Sequence, residues 1–342
     1  MSRIRVLVVD DSLFMRAAIK KILENDARFE VVGVGKDGAE GVALTLQHKP
    51  DVVTMDFNMP KMNGAEAVRE IMRTRPTPVI MLSAHTRDGA RETFEALTAG
   101  AVDFLTKPSG EVSADFQAIG PRLIEKLVAC AGVTPREVKP VKPRAPTVDP
   151  SLTTWPPTGP KVVVIGVSTG GPTALTRVLP ALGADIGVAV IVVQHMPAQF
   201  TTTLAERLNG LSAIEVREAQ EGDKPRRGLA LVAPGDRHLE FGDKGVLVLS
   251  DGPEVNGCRP SVDVTMRSAA KIFGRRTIGV IMTGMGRDGT EGLAAVRAAG
   301  GRTLAQDKAT STIWGMPRSA IDAGVVDEIV ALDDIAGKLE KS

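Results

Sequence analysis

The sequence predicts two α/β units in series, each built on a largely parallel sheet with helices on its faces, and three observations carry that prediction. Residues 1–131 alternate short β-rich runs with helical patterns, the signature of an open parallel sheet. Residues 161–342 repeat the alternation less regularly, with a stretch at 214–250 that breaks it. Between them, residues 132–160 carry eight prolines (Pro135, Pro140, Pro143, Pro146, Pro150, Pro156, Pro157 and Pro160), basic residues that include Lys139, Lys142 and Arg144, and no apolar period. Such a segment is predicted to be an extended, semi-rigid connector. The length of 342 residues agrees, because single hydrophobic cores stop growing at about 250–300 residues.

In the first unit the predicted strands are 4–9, 29–34, 52–55, 79–82 and 102–105, each rich in Val, Ile, Leu or Met. Helical stretches lie near 13–24, 38–48, 64–73, 88–98 and 113–129. In the second unit 162–167, 188–193 and 277–282 are apolar runs of the kind expected in strands buried on both faces. Short strands near 229–232, 238–241 and 246–249, separated by Gly-Asp and Gly-Pro turns, are predicted to form a small antiparallel insertion. No internal repeat is visible.

Composition narrows the class. Lys and Arg number 42 against 41 Asp and Glu, a formal charge of +1. That balance gives no electrostatic footprint for nucleic acid or an anionic membrane. An apolar content of 43% excludes disorder for most of the chain. Aromatics make up 3%, so the cores must be built from Val, Ile, Leu, Ala and Met. Two cysteines, Cys130 and Cys258, cannot form a disulfide framework, which fits a reducing compartment. No apolar run approaches the ~20 residues that span a bilayer. The N-terminus enters a strand directly rather than a signal peptide, so a cytoplasmic protein without membrane insertion is expected; a monomer is expected as well.

In open parallel sheets, chemistry collects at the carboxyl ends of the strands. Those ends place Asp10 and Asp11 after the first strand, Asp56 after the third, Ser83 after the fourth and Lys107 after the fifth. Three converging carboxylates repel one another unless a cation lies between them, and oxygen-only donors suit Mg²⁺. Lys107 and the Ser83 hydroxyl could meet further oxygens of a phosphoryl group, with Asp56 as the nucleophile. Taken singly, the Asp-Asp-Ser run reads as a helix cap, with Ser12 in that role. The segments Val-Val-Asp10-Asp11-Ser, Met-Asp56-Phe-Asn-Met-Pro and Leu-Thr-Lys107-Pro resemble the receiver domain of two-component response regulators. The resemblance implies a flavodoxin-like strand order of 2-1-3-4-5 and phosphorylation of Asp56 by a histidine kinase. It also implies Phe104 as the aromatic switch residue and Asn58 at a position that tunes phosphate lifetime.

The second unit opens with a strand, a tight glycine turn and a proline-started helix, Gly166-Val-Ser168-Thr-Gly170-Gly171-Pro172. The run does not match G-x-G-x-x-G and lacks the lysine of a P-loop, but it contains G-x-S-x-G, which exposes a serine beside free helix N–H groups. Of the four histidines, His48 ends a helix of the first unit, His85 lies in a loop there, and His238 falls in the predicted insertion. His195 follows a buried strand in Gln194-His195-Met-Pro and is the best general base. The glycine-rich loop Thr283-Gly-Met-Gly-Arg-Asp288-Gly follows a third strand and supplies the orienting acid, although Asp288 alone reads equally well as a helix cap. Together they make a Ser–His–Asp constellation at strand ends. Their chain order differs from the Ser–Asp–His of α/β-hydrolases.

These segments, with Gln194-His-Met-Pro-Ala-Gln-Phe-Thr, Ala233-Pro-Gly-Asp-Arg-His, Arg259-Pro-Ser-Val-Asp-Val and Trp314-Gly-Met-Pro, resemble the catalytic domain of the chemotaxis protein-glutamate methylesterases, the CheB family. The resemblance covers the whole chain. It divides the chain into a receiver at 1–131, a linker at 132–160 and a methylesterase domain at 161–342. It implies hydrolysis of γ-glutamyl methyl esters on chemoreceptors, deamidation of receptor glutamines and activation by a chemotaxis histidine kinase. Ser168 would be the nucleophile, His195 the base and Asp288 its orienter, with the Thr169 and Met285 amides nominated for the oxyanion. Mg²⁺ is implied for the receiver, at Asp10, Asp11 and Asp56, and no cofactor for the ester step. The rivals are a response regulator with a non-catalytic binding output, such as DNA binding, and a nucleotide-binding output using the 166–171 turn. Neither a basic recognition helix nor a phosphate-contacting lysine is present for them. Cys130 and Cys258 read as small buried hydrophobes, the methionines of 55–81 as core filling, and Arg259, Ser261 and Asp263 as helix anchors.

Overall fold

The structure is a computed structural model that describes residues 3–107, 113–135 and 161–341. Most of the proline-rich connector, 136–160, lies outside the described residues. The chain divides into two units, Met1–Lys139 and Pro140–Ser342.

The first unit is built from β1 (Ile4–Val9), β2 (Phe29–Gly35), β3 (Val52–Asp56), β4 (Val79–Ser83) and β5 (Asp103–Thr106), all parallel, in the order β2-β1-β3-β4-β5. The connecting helices are α1 (Leu13–Glu24), α2 (Gly38–His48), α3 (Gly64–Thr74), α4 (Arg87–Ala99) and α5 (Ser113–Cys130). Their starts follow local chemistry. The side chains of Ser12, Asp37 and Thr86 accept from the amides of Met15, Glu40 and Gly89, and Asn63 with Glu66 closes a capping box. Asp56 and Ser83 are the last residues of their strands rather than the first beyond them. Parallel pairing of Asp56 with Leu82 and of Ser83 with Thr106 carries the ladder that far. Met55 and Met81 are fully buried, as core filling requires.

The second unit contains a seven-stranded parallel sheet. Its strands are β6 (Val162–Val167), β7 (Ala189–Gln194), β8 (Glu215–Glu218), β9 (Leu229–Val232), β12 (Thr277–Ile281), β13 (Arg302–Gln306) and β14 (Glu328–Val330). Their order is β14-β13-β12-β6-β7-β9-β8. A separate antiparallel pair joins β10 (His238–Phe241) to β11 (Leu247–Ser250). The helices are α6 (Gly171–Val178), α7 (Ala198–Leu211), α8 (Val262–Phe273), α9 (Thr290–Ala298), α10 (Gly315–Asp322) and α11 (Ile335–Glu340).

The run 229–232 does not belong to the antiparallel insertion; it pairs parallel with both β7 and β8. All four of its residues are buried, as suits an inner strand of a parallel sheet covered on both faces. The turn signals around it mark crossovers instead. Strands β8, β13 and β14 also escaped the sequence. They are short, and Glu215, Arg217, Arg302 and Glu328 interrupt the apolar signal.

The topology selects the site. From β6 the chain adds β7, then the edge strand β8, then β9 between those two, and returns to the other side of β6 for β12, β13 and β14. The reversal falls at β6/β12, and ligands bind such sheets in the crevice at the carboxyl ends beside the reversal.

Candidate functional site

Ser168 and His195 are the residues that follow β6 and β7. Those strands end in register at Val167 and Gln194, and the His195 amide donates to Val167 O at 3.1 Å. The turn after Ser168 is tight: Gly171 N donates to Ser168 O at 2.8 Å, and Gly170 has φ +76°. A Cβ on Gly170 would also lie 2.6 Å from Thr312 Cβ, so both backbone and space demand glycine there. Buried Gln194 donates from Nε2 to Ser168 O at 3.0 Å and so braces the nucleophile turn from the neighbouring strand. Thr283, two residues beyond β12, completes the frame. Its carbonyl accepts from Ser168 N at 3.0 Å, and its hydroxyl donates to Thr169 O at 2.9 Å.

Gly284 packs directly on the nucleophile: a Cβ there would lie 2.8 Å from Ser168 Cβ and 2.3 Å from Met316 Sδ. Gly284→Ala is therefore expected to cost roughly 1–3 kcal/mol of stability and to lower hydrolysis by displacing Ser168. Urea denaturation and ester hydrolysis on the same preparation test this, and a variant equal to wild type in both would contradict it.

Asp288 is the centre of the site's polar network. Its Oδ2 lies 2.8 Å from His195 Nε2 and accepts from Val262 N at 2.6 Å. Its Oδ1 accepts from Ser261 Oγ at 2.7 Å, Asn256 Nδ2 at 3.1 Å and Asp263 N at 3.2 Å. Asp288 thus does act at a helix N-terminus, but that of α8 across the crevice rather than of its own helix α9, whose cap is Gly289. The α8 amides and dipole favour the anion. Burial pushes the Asp288 carboxyl up, but His195, Ser261 and the Val262 amide outweigh it and hold the carboxyl at about 2. Asp263 moves the opposite way, raised by burial and by the Asp288 charge.

His195 is held between two partners. Nε2 faces Asp288, and Nδ1 lies 3.5 Å from Cys258 Sγ. Burial opposes the imidazolium, yet Asp288 and Cys258 outweigh it and push His195 up to about 10. The structure brings His195 and Asp288 together, whereas no hydrogen bond joins the Ser168 hydroxyl to the imidazole among the described residues. Cys258 corrects the sequence reading, being half-exposed and facing the imidazole. Cys130 is buried as expected, and burial pushes its thiol up to about 12. Ser261 and Asp263 serve Asp288 as well as anchoring α8, while Arg259 donates to the carbonyls of Asp251 and Gly252. His238 is structural. Its Nδ1 accepts from Ser261 N at 3.2 Å, which leaves Nε2 to donate to Pro253 O at 2.9 Å.

Asn256 and Gln194 are site residues that the sequence reading missed. For Asn256 a signal existed: Val255-Asn-Gly-Cys258 is the signature of a two-residue hairpin turn. Asn256 and Gly257 have φ of 54° and 71°, and Val255 and Cys258 exchange hydrogen bonds of 3.1 and 3.0 Å.

In the first unit, carboxylate oxygens of Asp10, Asp11 and Asp56 lie within 4.8 Å of one another. Lys107 Nζ lies 2.9 Å from Asp10 Oδ2 and 2.7 Å from Asp56 Oδ1. Burial and the Asp10 charge raise Asp56 to about 6 against the pull of Lys107. The oxygen-only donor set, with exposed Asp11 at its edge, fits Mg²⁺. The Ser83 hydroxyl is directed elsewhere: it donates to Gly89 O at 2.9 Å and accepts from Thr93 Oγ1 at 2.6 Å, so its bonds go to α4 and not to the acidic cluster. Phe104 is buried in β5, and Asn58 donates to Glu92 at 2.9 Å.

Fold and sites together define a response regulator whose output unit is an esterase-type α/β enzyme. The CheB methylesterase family model matches residues 163–339, and the response regulator receiver domain model matches residues 6–114. A protein-glutamate methylesterase/protein-glutamine glutaminase of Symbiobacterium thermophilum is 46% identical over 351 aligned residues, covering 99% of this chain and 97% of the relative. The protein of the same name from Pyrococcus abyssi is 44% identical over 337 residues, covering 97% and 92%. The crystal structure of the Thermotoga maritima CheB methylesterase catalytic domain is 41% identical with a TM-score of 0.52, covering 54% of this chain and 98% of that one. The chain belongs to the CheB methylesterase family, in the form that carries a receiver domain ahead of the catalytic domain. No helix among the described residues is long and apolar enough to cross a membrane.

Proposed function

We propose that this protein hydrolyses γ-glutamyl methyl esters on the cytoplasmic part of chemotaxis receptors, that it likewise deamidates selected receptor glutamines, and that phosphorylation of Asp56 by a chemotaxis histidine kinase raises the activity. The observation that supports this above all is the convergence of Ser168, His195 and the Asp288 loop at the carboxyl ends of β6, β7 and β12, with Asp288 bonded to His195 at 2.8 Å.

Ser168 Oγ forms the bond to the ester carbonyl carbon while its proton passes to His195 Nδ1, the nitrogen turned away from Asp288. Cys258 must first yield that nitrogen, and catalytic hydrogen bonds commonly tighten only when substrate binds. The carbonyl electron pair moves to oxygen, where the amides of Thr169 and Met285 are the proposed donors. On collapse the bond to the methoxy oxygen breaks, His195 returns the proton, and methanol leaves. Water then gives a proton to His195 and its oxygen to the acyl carbon, and Ser168 departs reprotonated. From a glutamine, ammonia leaves in place of methanol.

Because the reactive imidazole is the neutral one, a His195 held near 10 places it on the alkaline side. The kcat/KM is expected to rise with pH through neutrality, with an apparent pKa above the ~6.5 of an ordinary histidine. The charged or titratable partners facing the ring are Asp288 and Cys258, with Asp263 behind Asp288. Cys258→Ala removes one of them and is expected to move the limb to lower pH. A limb that stays in place would remove Cys258 from the account.

In the receiver, Asp10, Asp11 and Asp56 would hold Mg²⁺, which when bound neutralises phosphoryl oxygens during transfer. Asp56 takes the phosphoryl group, and Lys107 is placed to meet one of its oxygens. The receiver is proposed to restrain the catalytic unit until phosphorylation, with a move of Phe104, shifts its population to a form that no longer does so. Methanol release from methylated receptor membranes, with and without acetyl phosphate and Mg²⁺, tests the whole reading. Stimulation is expected in wild type and lost in Asp56→Asn. Absence of release under every condition, with Asp56 shown to be phosphorylated, would favour a binding output instead.

A further inference from the structure

Two clusters of His, Cys, Asp or Glu among the described residues could hold a metal ion, and they differ in kind. One is the all-oxygen receiver cluster. The other joins His195, Cys258 and Asp288, and it brings a sulfur and an imidazole nitrogen to the mouth of the proposed esterase site. Cys258 is not needed for any step of ester hydrolysis, and its place beside the base asks for another account.

The geometry points to a site for a thiophilic divalent ion, with Zn²⁺ as its natural occupant, formed by His195 Nδ1 and Cys258 Sγ and acting as a reversible block on the general base. Two ligands about 2.05 and 2.3 Å from a zinc ion, at a tetrahedral angle, lie about 3.6 Å apart. Here Nδ1 and Sγ are 3.5 Å apart before any ion is considered. Asp288 sits 2.8 Å from the opposite ring nitrogen, the carboxylate–histidine arrangement that orients an imidazole towards zinc and raises its basicity. That carboxylate already accepts four further hydrogen bonds, so it serves as the outer partner rather than a displaced ligand. Cys258 is held by the reciprocal hydrogen bonds of its hairpin, so little ordering is left to pay for. It is half-exposed, which gives an ion access. The remaining coordination positions fall to water, so the ion binds reversibly. Mixed N and S donors select zinc over the Mg²⁺ suited to the receiver cluster.

Binding follows from the geometry alone, whereas inhibition rests on the role proposed for His195. The experiment separates them. Full-length protein in saturating Mg²⁺, which occupies the carboxylate cluster, is titrated with Co²⁺ and read by the near-ultraviolet thiolate-to-cobalt charge-transfer band, then with Zn²⁺ as competitor. A stoichiometric band displaced by zinc is expected in wild type, Cys130→Ser and Ser168→Ala. It should be lost in Cys258→Ser and in His195→Gln, with folding checked by circular dichroism. Asp288→Asn should weaken zinc binding roughly 10- to 100-fold. Zinc should also suppress methanol release by wild type, with recovery on adding a chelator. A band that survives in Cys258→Ser, or no band in wild type, overturns the site. A band present in an enzyme that releases no methanol under any condition would leave the metal site standing and fail the esterase reading.

Discussion

Replacing Ser168 by alanine is expected to reduce methanol release from methylated receptors by roughly 10⁴- to 10⁶-fold, the scale seen when a triad nucleophile is removed. The substitution takes away one oxygen and leaves the turn intact, because the bonds that shape it use the backbone atoms of Ser168, not its hydroxyl: Ser168 N to Thr283 O, Gly171 N to Ser168 O and Gln194 Nε2 to Ser168 O. Thermal stability should therefore stay close to wild type while the acyl-enzyme route closes. Release measured with labelled methyl groups checks the point, together with a denaturation curve. Activity within tenfold of wild type in a folded variant would end the nucleophile assignment.

Asp288→Asn is expected to lower turnover by about 10⁴-fold, as loss of the orienting carboxylate does in a serine triad. It should also lower stability, unlike Ser168→Ala. Asp288 accepts from Ser261 Oγ, Asn256 Nδ2 and the Val262 and Asp263 amides, in addition to facing His195. An amide nitrogen in place of one oxygen points a donor at these donors, in a site that is almost fully buried. The pH dependence follows by sign. The folded carboxyl lies at about 2, below its unfolded value near 3.8, so its contribution is complete above about pH 4 and is lost as pH falls towards 2. A gap of just under two pH units corresponds to about 2 kcal/mol. Asp263 titrates with it in the opposite sense and offsets part of that. Urea denaturation of the full chain between pH 5 and 2 should show a shallower acid loss in Asp288→Asn than in wild type; parallel curves would contradict the linkage.

Much of this architecture is readable from one sequence because its signals are local. The apolar run 162–167 and the Gly-rich, Pro-started turn after it specify a strand, an exposed serine and a helix through residues that are chain neighbours. The same holds for Asp10, Asp56 and Lys107, which end β-rich runs whose periodicity is plain. Where polar residues interrupt the pattern, as in β13 and β14, periodicity is silent, and pairing with an already formed sheet makes the strand. The run 229–232 shows the converse: its type was legible, but its partners were not.

The sequence by itself determined two α/β units, the identity of the residues at their strand ends and the turn chemistry that exposes Ser168. Tertiary structure decided what those residues touch. It turned Ser83 towards α4, placed Asp288 on the N-terminus of a helix that begins 26 residues before it, and set Cys258 against a histidine 63 residues away. The physical reason is range. Propensity, capping and turn geometry are settled within a few residues of chain, whereas the direction of a side chain in a crevice depends on how strands far apart in sequence pair and on which donors that pairing brings to meet it.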